Sequence, residues 1–144
     1  MSDSIDPYSI PRVGVGVIVL RDGKLLLGKR RNAHGEGEWA LIGGKLDYQE
    51  ALEACAKREI KEESGMEVEN LRFVTLFNSF RYPPKHFLAI GMVAAWVSGE
   101  PQVYPDEKIS EWGWFAFDGL PEPMFIDSLR LIENYNTGTI FSDL

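Results

Sequence analysis

The 144-residue chain contains one cysteine, Cys55, so no disulfide can form within it, and such sparse thiol usage points to a reducing compartment. It is short of positive charge. Fifteen Lys and Arg against 22 Asp and Glu leave a net charge of −7, which argues against sequence-independent binding to nucleic acid, because that binding neutralises phosphates with basic side chains. A small anion can still bind, provided a local cation such as a metal receives it. No long apolar run is present. The longest, Phe87 to Val97, falls well short of the roughly 20 residues that span a bilayer. The opening segment MSDSIDPYSIPR carries acids and no apolar stretch, unlike a signal peptide. Repeats, linkers and low-complexity tracts are absent, as is an Asp-rich EF-hand loop. Nothing resembles a Ser-His-Asp or Cys-His nucleophile system. The expectation is one cytoplasmic domain over residues 1–144, loose over 1–11 and without membrane or nucleic-acid partners.

What is there reads as a folded core: 44% hydrophobic and 12% aromatic residues in a chain long enough to bury them. Val13 to Leu20 is rich in β-branched residues and predicts a strand. The Asp22-Gly23 turn follows, and Leu25 to Arg30 returns as a second strand. Asn32 to Gly37 is a Gly-rich loop. Trp39 to Ile42 predicts a short strand, and Gly43-Gly44 a break before a helix. Longer strands are expected near Leu71 to Phe80 and Phe87 to Val97, joined by Arg81 to His86, since paired prolines avoid central strands. Trp112 to Phe117 predicts a last strand, with Trp112 and Trp114 on one face as core packing. A second helix is expected from about Phe125 to Tyr135. Strands interleaved with two helices give an α/β sandwich around a mixed sheet.

The first helix is the informative element. Asp47 and Glu50 have capping-box spacing for a start near Tyr48, and Gly65 suits a left-handed end. At about 100° per residue, Leu52, Cys55 and Ala56 form a stripe that continues into Glu59 and Glu63, with Glu62 to one side. Cys55 reads as a small buried hydrophobe. Glu53, Lys57, Lys61 and Ser64 occupy the opposite, solvated face. A charge run is usually a solvated face, but here that face already exists elsewhere. Like charges at this spacing repel, and the more so when partly desolvated. A shared divalent cation relieves the repulsion, and hard carboxylate oxygens suit Mg²⁺.

Gly44, five residues, Glu50, seven residues and then Arg58-Glu59-Ile60-Lys61-Glu62-Glu63-Ser64-Gly65-Met66 resembles the Nudix box, G-x5-E-x7-R-E-U-x-E-E-x-G-U, at every fixed position. The resemblance runs from about Val13 to Leu131 and is nearest to the MutT-like nucleotide diphosphatases. It implies the Nudix α/β/α sandwich, a central mixed sheet with two main helices. It also implies metal binding by Glu59, Glu62 and Glu63, with one of them helping to deprotonate the attacking water. Arg58 would orient a metal-binding carboxylate, and Gly44 would let backbone approach metal and phosphates. Glu50 is either a helix-start residue or part of the site. The implied cofactor is Mg²⁺, with Mn²⁺ as a substitute.

The implied reaction is hydrolysis of a nucleoside diphosphate linked to a further group. The leading substrate is a (deoxy)nucleoside triphosphate, ordinary or oxidised, cleaved to monophosphate and pyrophosphate. ADP-ribose or another nucleotide sugar is the alternative, and a nucleotide-binding module without catalysis is a second. Outside the box, Arg30 resembles a phosphate-contacting arginine, and Glu107, with Glu111 as rival, an extra metal ligand or base. Phe80, Tyr82 and His86 are candidates to stack on a nucleobase, while His34 is expected to face solvent. Ile42, Asp47 and Gln49 depart from the commoner P-G-G-x-x-E-x-G-E loop. A homodimer is left open. Glu62→Gln is expected to spare the fold and cut kcat by orders of magnitude.

Overall fold

The computed structural model describes residues 9–143; the expected loose segment lies outside the described residues over 1–8. Ten elements follow in order: β1 Arg12–Arg21, β2 Lys24–Arg30, β3 Trp39–Ala40, β4 Ile42–Lys45, α1 Leu52–Ser64, β5 Glu67–Tyr82, β6 Lys85–Ser98, β7 Ile109–Phe115, α2 Ile126–Thr137 and β8 Phe141–Asp143. They form an α/β/α arrangement around one mixed eight-stranded sheet, ordered β3-β2-β1-β6-β5-β8, with β4 paired to β1 and β7 to β2. The β1–β6 and β5–β8 pairs are parallel and the other pairs antiparallel.

Strand alternation assigns the two faces. Val15, Val17 and Val19 of β1 pack with Ile42, Cys55, Ala56 and Ile60, which seats α1. Ile18, with Leu25, Leu27, Phe77 and Val93, packs against Leu131 and Ile132 of α2. Trp112 and Trp114 both pack against the α1-side cluster, on one sheet face as expected. The strand pairing also opens a cleft. β2 meets β1 only at its start, Leu20 opposite Leu25 and Arg21 opposite Lys24. Farther along, β4 takes the β1 edge instead, with Gly44 opposite Val15 and Gly43 opposite Gly16.

Several expectations change. Gly43 and Gly44 are strand residues, not a break, and the break falls at Leu41 between β3 and β4. The long hairpin loop shrinks to Pro83-Pro84, because Arg81, Tyr82, Lys85 and His86 belong to β5 and β6. Helix α1 begins at Leu52, behind an Ala51 N-cap without a side-chain capping bond. Gln49 has φ 61, a left-handed residue that keeps the preceding turn out of the helix. Asp47 and Glu50 close that turn on themselves: Glu50 N–H donates to Asp47 O at 3.1 Å, and Asp47 N–H donates to Glu50 Oε1 at 3.0 Å. Leu52 is exposed, whereas Ser64 is fully buried, its hydroxyl donating to Ile60 O at 2.6 Å. The buried stripe of α1 is therefore Cys55, Ala56, Ile60 and Ser64. Gly65 ends the helix as expected, at φ 80, its N–H donating to Lys61 O.

Candidate active site

A cleft with a cavity of about 550 Å³ opens on the α2 side, where β1, β2, β4 and β6 meet the start of α2. Its wall at α1 carries Glu59 and Glu63, joined by Glu107 from the loop before β7; the lining also holds the bases Arg30, Lys45, Lys85 and Lys108. A chain of net charge −7 thus gathers four cations at one place.

Helix α1 delivers the acids by its register. Glu59 and Glu63 flank the buried stripe and are half-buried. Burial, ahead of the Glu59 charge, pushes the Glu63 carboxyl up to about 8, although Gly43 N–H donates to its Oε1 at 3.4 Å. Burial likewise raises Glu59, against the pull of Arg58. Glu62 goes elsewhere. Its side chain is 53% exposed, pairs with Arg58 at 3.3 Å and does not line the cavity.

Arg58 organises the back of this wall. Its guanidinium holds Glu50 in a two-pronged grip, Nε to Oε2 at 2.7 Å and Nη2 to Oε1 at 2.9 Å. It also donates through Nη1 to Glu59 Oε1 at 2.9 Å and through Nη2 to Lys45 O at 3.2 Å. The Arg58 hydrogen bonds, then the Asp47 N–H, hold Glu50 down to about 2. Glu50 is thus the anchor of Arg58, and Arg58 the anchor of Glu59. Arg58→Ala is expected to lower hydrolysis by about 10- to 100-fold, the usual effect of losing a group that orients a ligand. Unchanged kcat/KM in steady-state assays would show that Glu59 holds its place without the arginine.

Gly44 shows how closely this wall is fitted. A Cβ at that position would overlap the Glu59 carboxylate. Among the described residues, no group of three or more His, Cys, Asp or Glu side chains is arranged to hold a metal ion by itself. Mg²⁺ asks for less: one or two carboxylates, with water and substrate phosphates completing its shell. Glu59, Glu63 and Glu107 are hard-oxygen donors on one cleft, and a cation would relieve the repulsion and burial that raise Glu59 and Glu63. The residues fit a hard divalent cation.

Among the lining bases, Arg30 is partly buried rather than solvated. Its Nε donates to His34 O at 2.8 Å, and its guanidinium lies 4.3 Å from the Phe125 ring centroid. His34 does not simply face solvent. Its ring meets Tyr82 and Phe125 edge-on at 5.1 and 5.4 Å, and its Nδ1 lies 2.9 Å from Lys85 Nζ. Burial, then the charges of Arg30 and Lys85, push His34 down to about 4, so at neutral pH its Nδ1 accepts from the ammonium. Arg31 fixes the Glu107 loop, donating through Nε to Glu107 O at 3.1 Å and through Nη2 to Tyr104 O at 2.8 Å.

The aromatic candidates separate. Tyr82 stacks on Phe125 at 4.7 Å and stands behind the cavity lining, its hydroxyl oxygen accepting from Ile126 N–H. Phe80 and His86 contact each other at 6.0 Å and do not line the cavity; His86 is engaged with Asn78 at 2.6 Å. Of the two acids before and in β7, Glu107 lines the cleft, while Glu111 pairs opposite Lys29 and does not. Sequence reasoning missed Phe125, Asp127, Lys45, Lys85 and Lys108. Single lysines on strand ends carry no signal, and Asp127 reads as an ordinary acid in a first helical turn.

An α/β/α sandwich whose first helix ends in a carboxylate cluster beside a glycine-lined cleft is the arrangement that the sequence resemblance implies. Comparison with known proteins agrees: the NUDIX domain family matches residues 10–135, and the chain belongs to the Nudix hydrolases. It is 37% identical over 120 residues to the NAD-capped RNA hydrolase NudC of Edwardsiella ictaluri, covering 82% of this chain and 45% of that protein. It is 33% identical over 129 residues to the ADP-ribose pyrophosphatase of Methanocaldococcus jannaschii, covering 89% of this chain and 75% of that protein. The chain thus spans under half the length of the NudC relatives it matches. A solved MutT NUDIX hydrolase from Burkholderia pseudomallei superposes with a TM-score of 0.81 at 36% identity, covering 87% of this chain and 98% of that one. No helix among the described residues is long and apolar enough to cross a membrane.

Proposed function

We propose that this chain hydrolyses the diphosphate linkage of a nucleoside triphosphate, with a bound divalent cation, to a nucleoside monophosphate and pyrophosphate. The observation that carries this reading is the gathering of Glu59, Glu63 and Glu107 with Arg30, Lys45, Lys85 and Lys108 in the lining of one cleft. Four cations exceed what one diphosphate bridge needs and suit a chain of three phosphates. Mg²⁺ is the proposed ion and Mn²⁺ its substitute. When bound, such an ion neutralises phosphate charge and makes water a better nucleophile. The protein's own part is to bind and orient. Arg30 and the lysines take phosphate oxygens, Glu59 and Glu63 hold the ion's side of the cleft, and Arg58 holds Glu59. Glu63, raised to about 8, holds its proton at neutral pH until a bound cation takes the proton's place. The proposed setting is cytoplasmic, with a small nucleotide as partner rather than nucleic acid or membrane.

The second reading is ADP-ribose or a related nucleotide, supported by the names of the Methanocaldococcus jannaschii and NudC relatives. A panel of triphosphates, ADP-ribose and NAD with ³¹P product identification in ¹⁸O-labelled water separates the two. Monophosphate and pyrophosphate from triphosphates, with little ADP-ribose turnover, supports the first; the reverse ranking overturns it. All turnover is expected to vanish with EDTA and return with excess Mg²⁺ or Mn²⁺. Hydrolysis that persists in EDTA would remove the metal from the scheme.

A further inference from the structure

The two helices leave one part of the sheet bare. Register pairs Phe73 with Met92, Leu76 with Ile90 and Asn78 with Leu88 across β5 and β6, and Leu76 with Phe141 across β5 and β8. Directly opposed residues share a face. Met92 and Ile90 pack with the cluster beneath α1, so this whole set lies on the α1 side. Phe80 joins it through its ring contact with His86, which is engaged with Asn78 at 2.6 Å. Toward the Pro83-Pro84 turn and the β8 edge the face is open: Phe73 is 57% exposed, Phe80 51%, Phe141 60% and Leu88 36%. It is the back of the strands whose alternate residues, Phe77, Phe87 and Ala89, line the cleft. Covering it leaves the cleft free.

The size of the patch is informative. An aromatic side chain presents roughly 200 Å², so the three phenylalanines and Leu88 leave about 400 Å² of apolar surface open. The half-buried Val13, Leu76 and Ile90 add to it. A standard dimer interface buries about 800 Å² per partner, and about 60% of that is apolar. The patch therefore supplies close to the apolar area that one stable dimer needs.

Its chemistry narrows the occupant. Asp143, opposite Asn78, stands at the rim, and the polar groups of Asn78 and His86 already meet each other. A face without bases, on a chain of net charge −7, offers no hold to a polyanion or an anionic lipid surface. A sheet face matches another sheet face, packed about 10 Å away. An uncharged apolar surface is also its own complement across a two-fold axis. We infer that a second copy of this chain covers the patch, the two β5–β6–β8 faces packing across that axis.

Sedimentation equilibrium of the full chain tests this without any substrate, and so stands apart from the catalytic reading. At roughly 50 µM most of the protein is expected as dimer, because an interface at the small end of the standard range holds at micromolar concentrations. Leu88→Glu on β6 and Phe141→Glu on β8 each bury a carboxylate in the interface and should weaken dimerisation by about 30-fold or more. Both sites are exposed in a single copy, so the variants should keep the wild-type circular dichroism spectrum. Val103→Glu, at an exposed site in the loop before β7, should leave the dimer unchanged. Added NaCl should tighten the wild-type dimer, because it screens the repulsion between two copies of net charge −7. A wild type that stays monomeric, whatever else binds the face, would overturn the inference. So would a dimer that both patch substitutions spare, one that Val103→Glu disrupts equally, or one that salt dissociates.

Discussion

Replacing Glu63 by glutamine is expected to cut kcat by about 10²- to 10³-fold, the scale of losing one charge that stabilises the reacting group, and to raise the metal-free melting temperature at pH 8. The opposite signs come from one cause. Glu63 is raised to about 8, first by burial and then by the Glu59 charge, against an ordinary glutamate value near 4.3. The folded state therefore holds a proton between those values that the unfolded chain has released. Stability from this group is present below about pH 4 and is lost as pH rises toward 8. Glu59 and Asp127, both raised by burial, act in the same direction. Glu50, held down to about 2, acts in the opposite one, and its contribution is lost only in strong acid. Melting curves in EDTA at pH 5, 6.5 and 8 should slope downward for the wild type and less so for Glu63→Gln. Mg²⁺ should stabilise the wild type more at pH 8 than at pH 5, because the ion takes the place of the proton. Parallel slopes for the two proteins would show that Glu63 titrates normally.

Much of this was legible in the sequence because one periodicity did two jobs. The spacing that buries Cys55, Ala56 and Ile60 also aims Glu59 and Glu63 at the sheet, so the apolar residues locate the charged ones. Glu62 lies one step off that stripe; the resemblance implied that it binds metal with the other two, and its carboxylate pairs with Arg58 outside the cavity lining. The helix start was misplaced because Asp47 and Glu50 have capping spacing but spend it on a separate turn, which the left-handed Gln49 makes possible. Ser64 was assigned to water because about 100° per residue turns it away from Cys55, yet a serine that donates to Ile60 O four residues back can be buried without loss. Strand β8, three residues long, is too short for any periodicity to mark. Asp127, Lys85 and Lys108 reach the cleft only through tertiary pairing, which no local pattern encodes.

Two adjacent glycines make the separation of folding from catalysis testable. A side chain at Gly43 would collide with Val15 O and the Gly16 Cα, which are backbone atoms of the paired strand β1. Nothing there can rotate away, so β4 must part from β1, and Gly43→Ala is expected to cost about 3 kcal/mol of stability. A side chain at Gly44 meets first the Glu59 carboxylate, the far end of a flexible chain. Glu59 can swing aside, at the expense of its 2.9 Å bond from Arg58 and its place on the cleft. Gly44→Ala should therefore melt within a few degrees of the wild type while losing activity about 100-fold, the scale of displacing one charged group at the reacting centre. Urea unfolding paired with kcat/KM for the two variants reads both effects. Comparable loss of stability in both would mean that Gly44 serves the β1–β4 pairing. Full activity in Gly44→Ala would mean that Glu59 need not lie where this cleft holds it.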